Sequence, residues 1–137
     1  MHFHSPSENH IRGKSYPLEA HLVHKDEDGN LAVIAVMFEE GPANAELAKF
    51  WAKLPAEEGD KVALPAGMSV AGLPPRKHEY YRFSGSLTTP PCSEGVRWFV
   101  MKRPETVSKD QVATFAKALG FANNRPIQPV HAREILE

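Results

Sequence analysis

The stretch Leu31-Ala32-Val33-Ile34-Ala35-Val36-Met37-Phe38 carries no polar side chain. It is too short to cross a bilayer and too uniform for a strand with one wet face. A strand that is apolar on both sides must be covered on both sides, so the chain is predicted to build a sheet with material packed above and below it. The preceding stretch, Leu18–His24, has two unlike faces: Leu18, Ala20, Leu22 and His24 on one, Glu19, His21 and Val23 on the other. Between the two runs Lys25-Asp26-Glu27-Asp28-Gly29-Asn30 is a charged turn, and residues 18–38 read as a hairpin with a loop longer than the tightest type. His78–Phe83, rich in aromatics, and Val96–Met101, which alternates Val96, Trp98, Val100 with Arg97, Phe99, Met101, are further predicted strands.

Two segments read as helices. Asn44 can cap a segment whose Leu47, Phe50, Trp51 and Leu54 form one stripe, stopped by Pro55. Ser108 and Gln111 form a capping box ahead of Val112, Phe115 and Leu119, with a stop at Gly120. The fold class is therefore mainly β with short surface helices (α+β). The 12 prolines break the remainder into long loops without repeats or low complexity, and residues 1–137 read as one domain. With 16 Lys+Arg against 17 Asp+Glu, the charge balance argues against a nucleic-acid partner, and no apolar run is long enough to span a membrane.

His2 and His4 are two residues apart, which on a strand places both imidazoles on one face with Phe3 on the other. His21 lies on a strand that can pair antiparallel with theirs and bring a third nitrogen to that face. Three neutral imidazoles suit a borderline-soft divalent ion and leave it an open position, the pattern of a catalytic rather than a structural site. A closed four-ligand site would need His10 or His24. His24 faces the other side of its strand, while His10 stays open as a poorer ligand, and Cys92, the single thiol, cannot complete a thiolate site alone. Glu19, two residues before His21, can accept the imidazole's second N–H and fix its tautomer.

His2-Phe3-His4-Ser5-Pro6-Ser7-Glu8-Asn9-His10 with Glu19-Ala20-His21-Leu22-Val23-His24, then the segment from Gly85-Ser86-Leu87-Thr88-Thr89-Pro90-Pro91-Cys92 to Trp98, then Asn123-Asn124-Arg125-Pro126-Ile127-Gln128-Pro129 together resemble the α-class carbonic anhydrases, particularly their bacterial branch. The resemblance implies a central twisted, largely antiparallel sheet and the reversible hydration of carbon dioxide to bicarbonate and a proton by a zinc-bound hydroxide. It implies Zn2+ on His2, His4 and His21, with Glu19 as the carboxylate behind His21. Glu8 and Thr88 are implied as a joint orienting pair. If ionised Glu8 accepts the Thr88 hydroxyl proton, the Thr88 oxygen is left as an acceptor that aims the nucleophile and disfavours ligands without a proton to give. Val23, Val33, Leu87, Val96 and Trp98 are implied as the apolar wall for carbon dioxide, with Thr89 on the bicarbonate side.

The resemblance covers little more than the C-terminal half of the family's domain. It implies that the chain is the truncated, metal-bearing part of a larger domain, lacking the histidine that shuttles protons to solvent. In the bacterial branch the cysteine at the place of Cys92 usually pairs with one in the N-terminal half, so the full-length parent is expected to be periplasmic or secreted. A homodimer is among the states the resemblance allows. The competing readings are a catalytically impaired or non-functional carbonic-anhydrase-like fragment and a binding module of the same fold.

Overall fold

The computed structural model describes residues 1–54 and 62–137. The strands are β1 (His2–His4), β2 (Leu18–Lys25), β3 (Leu31–Glu40), β4 (Tyr80–Ser86), β5 (Glu94–Met101) and β6 (Glu105–Val107), with helices α1 (Ala45–Trp51) and α2 (Lys109–Leu119). They form one sheet in the order β1-β2-β3-β5-β4, with β6 also beside β3. The pairings β1–β2 and β2–β3 are antiparallel, as expected, and so is β4–β5, but β3 pairs in parallel with both β5 and β6. The sheet is thus mixed, and its parallel centre falls on the strand that is apolar on both sides. Val33, Ala35 and Met37 of β3 enter one core, Val36 and Phe38 the other.

The first core packs Phe3, Leu18, Ala20, Leu22, Val36 and Phe38 of the sheet against Leu47 and Phe50 of α1 and Phe115 of α2. Both helices start where expected: the Asn44 side chain accepts from the Glu46 and Leu47 N–H groups, and Ser108 and Gln111 close a capping box. Gln111 also serves α1, since its Oε1 accepts the Asn44 N–H and its Nε2 donates to the Asn44 carbonyl, each at 2.8 Å. One glutamine therefore locks two helix starts together on one face of the sheet. The α2 stop at Gly120 is left-handed at φ 78°, while the expected stop of α1 at Pro55 lies outside the described residues. No helix among the described residues is long and apolar enough to cross a membrane.

The second core holds Tyr16, Val33, Ala35, Met37, Val96, Trp98 and Val100, and loops rather than helices flank it. One is the segment between β1 and β2, tied by Ser7, whose N–H donates to the Tyr16 carbonyl at 2.9 Å and whose Oγ accepts from the Tyr16 N–H at 3.0 Å. The other is the C-terminal segment beyond α2. It bonds to β1 through Asn123 and to β4 through reciprocal Arg82–Leu136 backbone bonds of 2.8 Å, so it links the two ends of the strand order.

Candidate metal centre

The pairing of β1 with β2 sets His2 opposite His21 and His4 opposite Glu19. Residues directly opposite share a face, so the period-two pair and the third imidazole converge as the spacing predicts. One ring nitrogen from each of His2, His4 and His21 lies within 4.8 Å of the others, the sole such grouping of three His, Cys, Asp or Glu among the described residues. His10 and His24 are exposed and outside it.

The hydrogen bonds decide which nitrogens are available. His4 Nδ1 is 3.1 Å from the Asn123 carbonyl and 3.3 Å from Glu8 Oε1, both acceptors, so it carries the proton and Nε2 keeps a lone pair. That Nε2 is buried and has no partner. His21 Nε2 donates to Glu19 Oε1 at 2.8 Å, which leaves Nδ1 as the lone-pair nitrogen, 3.3 Å from His2 Nε2. A tetrahedral ion with metal–nitrogen distances of about 2.0–2.1 Å holds neighbouring nitrogens about 3.3–3.4 Å apart. An orphaned buried lone pair, a nitrogen pair at ligand spacing and a donor set made of imidazoles fit a divalent ion. Desolvation, then the neighbouring His21 and His4 imidazoles, push the His2 pKa down to about 3, and burial with His21 lowers that of His4.

Glu19 is fully buried. Burial by itself would raise its pKa, but the bond from His21 and those from Asn9 outweigh it and hold the carboxyl below its ordinary value. Its Oε2 accepts the Glu8 and Asn9 N–H groups at 2.6 and 2.9 Å, and its Oε1 accepts Asn9 Nδ2 at 2.6 Å. The same carboxylate that orients His21 therefore fixes the backbone carrying Glu8.

Glu8 is buried, its Oε1 accepting the Arg125 N–H at 2.6 Å while its Oε2 has no partner. Thr88, half-buried, lines the same cavity of about 490 Å³ as Glu8, Phe83, Trp98 and Arg125, without a direct Thr88–Glu8 hydrogen bond. A bulge precedes Thr88: pairing slips between Gly85 and Ser86, opposite Gly95 at φ 81°. Gly85 has to be small there, since a Cβ would meet Phe83 at 3.0 Å and Trp98 at 3.1 Å.

Of the expected apolar wall, Trp98 lines the cavity and packs edge-on to His21 at 4.9 Å between ring centroids. Its Nε1 donates to the Ser86 carbonyl at 3.0 Å, fastening the start of the Thr88 loop. Val33 and Val96 are buried on the same side and Leu87 is half-buried, but Val23 is 36% exposed and Thr89 is exposed. Asn123 and Arg125, which hold His4 and Glu8 by backbone groups, had no role assigned from sequence. Peptide groups more than 100 residues away leave no local signal, and only the Asn-Asn-Arg-Pro motif marked the place.

The sheet thus carries three convergent imidazoles, two of them beside buried carboxylates, in a grouping that could hold one metal ion. The sequence profile described as eukaryotic-type carbonic anhydrase matches residues 1–137. The chain is 51% identical over 136 residues to a carbonic anhydrase of Pectobacterium carotovorum, covering 99% of itself and 56% of that protein. For the carbonic anhydrase of Neisseria gonorrhoeae the identity is 46% over 137 residues, covering 100% and 54%. The α-carbonic anhydrase of Thermovibrio ammonificans, solved with the inhibitor sulfanilamide, superimposes with a TM-score of 0.93 at 51% identity, covering 99% of this chain and 60% of that one. The chain belongs to the eukaryotic-type, α-class carbonic anhydrase family, and spans about half the length of the curated relatives it matches.

Proposed function

We propose that the chain is the metal-bearing part of a zinc-dependent carbonic anhydrase and takes part in the reversible hydration of carbon dioxide to bicarbonate and a proton. The observation that carries this is the convergence of His2, His4 and His21 with their outward lone pairs left over after Asn123 and Glu19 have claimed the other nitrogens of His4 and His21. His2 Nε2, His4 Nε2 and His21 Nδ1 would hold the ion. When bound, it supplies a Lewis acid that makes the nucleophile for carbon dioxide available at neutral pH.

The remaining work falls to the chain. Glu19 keeps His21 in the tautomer that presents Nδ1 and, through the Glu8 and Asn9 N–H groups, holds Glu8 in place. Glu8 Oε2 is the unpartnered acceptor to which the Thr88 hydroxyl would donate, leaving the Thr88 oxygen to accept a hydrogen bond from the nucleophile. That bond orients the attacking lone pair and discriminates against anions that bring no proton. Val33, Val96 and Trp98 offer the uncharged substrate an apolar wall, with Leu87 and Val23 toward solvent.

The test is metal content together with carbon dioxide hydration, with and without sulfanilamide. Stoichiometric zinc and a sulfanilamide-sensitive rate are expected. Metal-free protein from a zinc-replete preparation would overturn the proposal, and a full zinc load without any rate would leave the binding-module reading in its place.

A further inference from the structure

Asn123 does more than lend a carbonyl to His4. Its side-chain Oδ1 accepts the Ser5 N–H at 2.9 Å and its Nδ2 donates to the Phe3 carbonyl at 2.9 Å, so one amide grips the peptide groups on both sides of His4. The geometry matters because β1 pairs with β2 on one side, and the Asn123 amide meets the backbone on its other side. The Phe3 carbonyl and the Ser5 N–H, two residues apart on a strand, point the same way, and the Asn123 amide meets them as a neighbouring strand would. Two of the three convergent imidazoles, His2 and His4, stand on β1. A metal site requires its ligands held to within about half an ångström.

We propose that Asn123 is a positioning residue for the metal centre: its side-chain amide acts as a one-residue strand that stiffens β1 and fixes the aim of His4 Nε2 and its spacing from His2. The assignment rests on the metal reading of the preceding subsection. It also explains why the partnered backbone carbonyl and the partnered side chain belong to one residue, since a single anchor then sets both the tautomer of His4 and the position of its strand.

The experiment compares the full 137-residue chain with Asn123→Ala, Asn123→Asp and Asn124→Ala, titrating each with Co2+ against a chromophoric chelator and recording the visible absorption of the Co2+ form. Asn123→Ala keeps the backbone carbonyl, yet is expected to bind Co2+ roughly 10-fold more weakly, the low end of what losing a ligand's supporting contacts costs. Its Co2+ spectrum should shift and its release of Co2+ to EDTA should quicken. Asn123→Asp places an acceptor against the Phe3 carbonyl and should weaken binding too; being isosteric, it is the variant to read if Asn123→Ala does not fold. Asn124→Ala, the matched truncation next door, should leave affinity and spectrum unchanged. Failure of the unmutated chain to bind Co2+ would overturn the metal reading itself. Binding by the unmutated chain with unaltered affinity and spectrum in folded Asn123 variants would overturn the Asn123 assignment alone, even if their thermal stability fell.

Discussion

On the helix side of the sheet Leu47, Phe50 and Phe115 meet Phe3, Leu18 and Leu22, and the contact is apolar throughout. On the other side Tyr16, Val33, Val96 and Trp98 pack near His4, Ser7, Glu8, Glu19 and His21, which are all the buried polar side chains among the described residues. The first side is held by area removed from water and by caps such as Ser108 and Asn44, so many apolar side chains of suitable volume would serve there. The second is held by hydrogen bonds that must all be made at once, because a buried polar group left unpaired costs more than the bond returns. One side can absorb substitution by repacking. The other has few tolerated alternatives, and its two orphaned atoms, His4 Nε2 and Glu8 Oε2, are the ones the proposed chemistry needs.

The sharpest test of this division is His21→Ala, expected to abolish zinc binding and with it any hydration rate; full metal content by elemental analysis would break the assignment of the site to that face. Leu47→Ala, at a side chain with no exposure, should cost about 2–5 kcal/mol in unfolding free energy while leaving the metal affinity of the folded protein unchanged. Denaturant titrations run beside metal titrations would show whether the two sides are as separable as that implies. Thr88→Ala should keep its zinc and lose about 100-fold in hydration rate, the scale of a misdirected proton interaction. Zinc lost along with the rate would reassign Thr88 to structure.

Acid should distinguish the sides more gently. The folded state keeps His2 neutral down to about pH 3 against an ordinary value of 6.5, so below pH 6.5 the unfolded chain takes up protons first and the metal-free protein loses stability. Glu19 acts in the same direction lower down: held below its ordinary 4.5, it contributes stability that is complete above that pH and lost as pH falls through its folded value. Unfolding midpoints in EDTA between pH 7.5 and 4 should therefore decline. Leu47→Ala should shift that curve down without changing its slope, and a pH-independent midpoint would contradict the burial of the site's ionisable groups.

Much of this could be read from the chain because period-two spacing is a local signal. His2 and His4 had to share a face, Glu19 and His21 had to share another, and antiparallel pairing joins them. The run from Leu31 to Phe38 likewise announced a strand covered twice. What spacing could not convey was the pairing of β3 with β5 in parallel, since nothing in either strand names its neighbour across the intervening α1 and β4. The boundaries moved for similar reasons: β4 begins at Tyr80 rather than His78 and runs on to Ser86, and β6 is too short to show a pattern. The bulge at Gly85 and Gly95 has no periodic signal, and Val23, expected in the apolar wall, is 36% exposed. Asn123 was invisible as a partner because its contacts with Phe3, His4 and Ser5 run over 118 to 120 residues.

That separation also orders events in time. During synthesis β1 and β2 leave the ribosome well before the groups that complete His4 and Glu8, which belong to Asn123 and Arg125, 119 and 117 residues further on. Closing contacts so distant is the slow, entropically costly part of folding. A nascent chain can thus display its three imidazoles before the site is finished, and metal that arrives ahead of the Asn123–Arg125 segment meets a looser, weaker set of ligands.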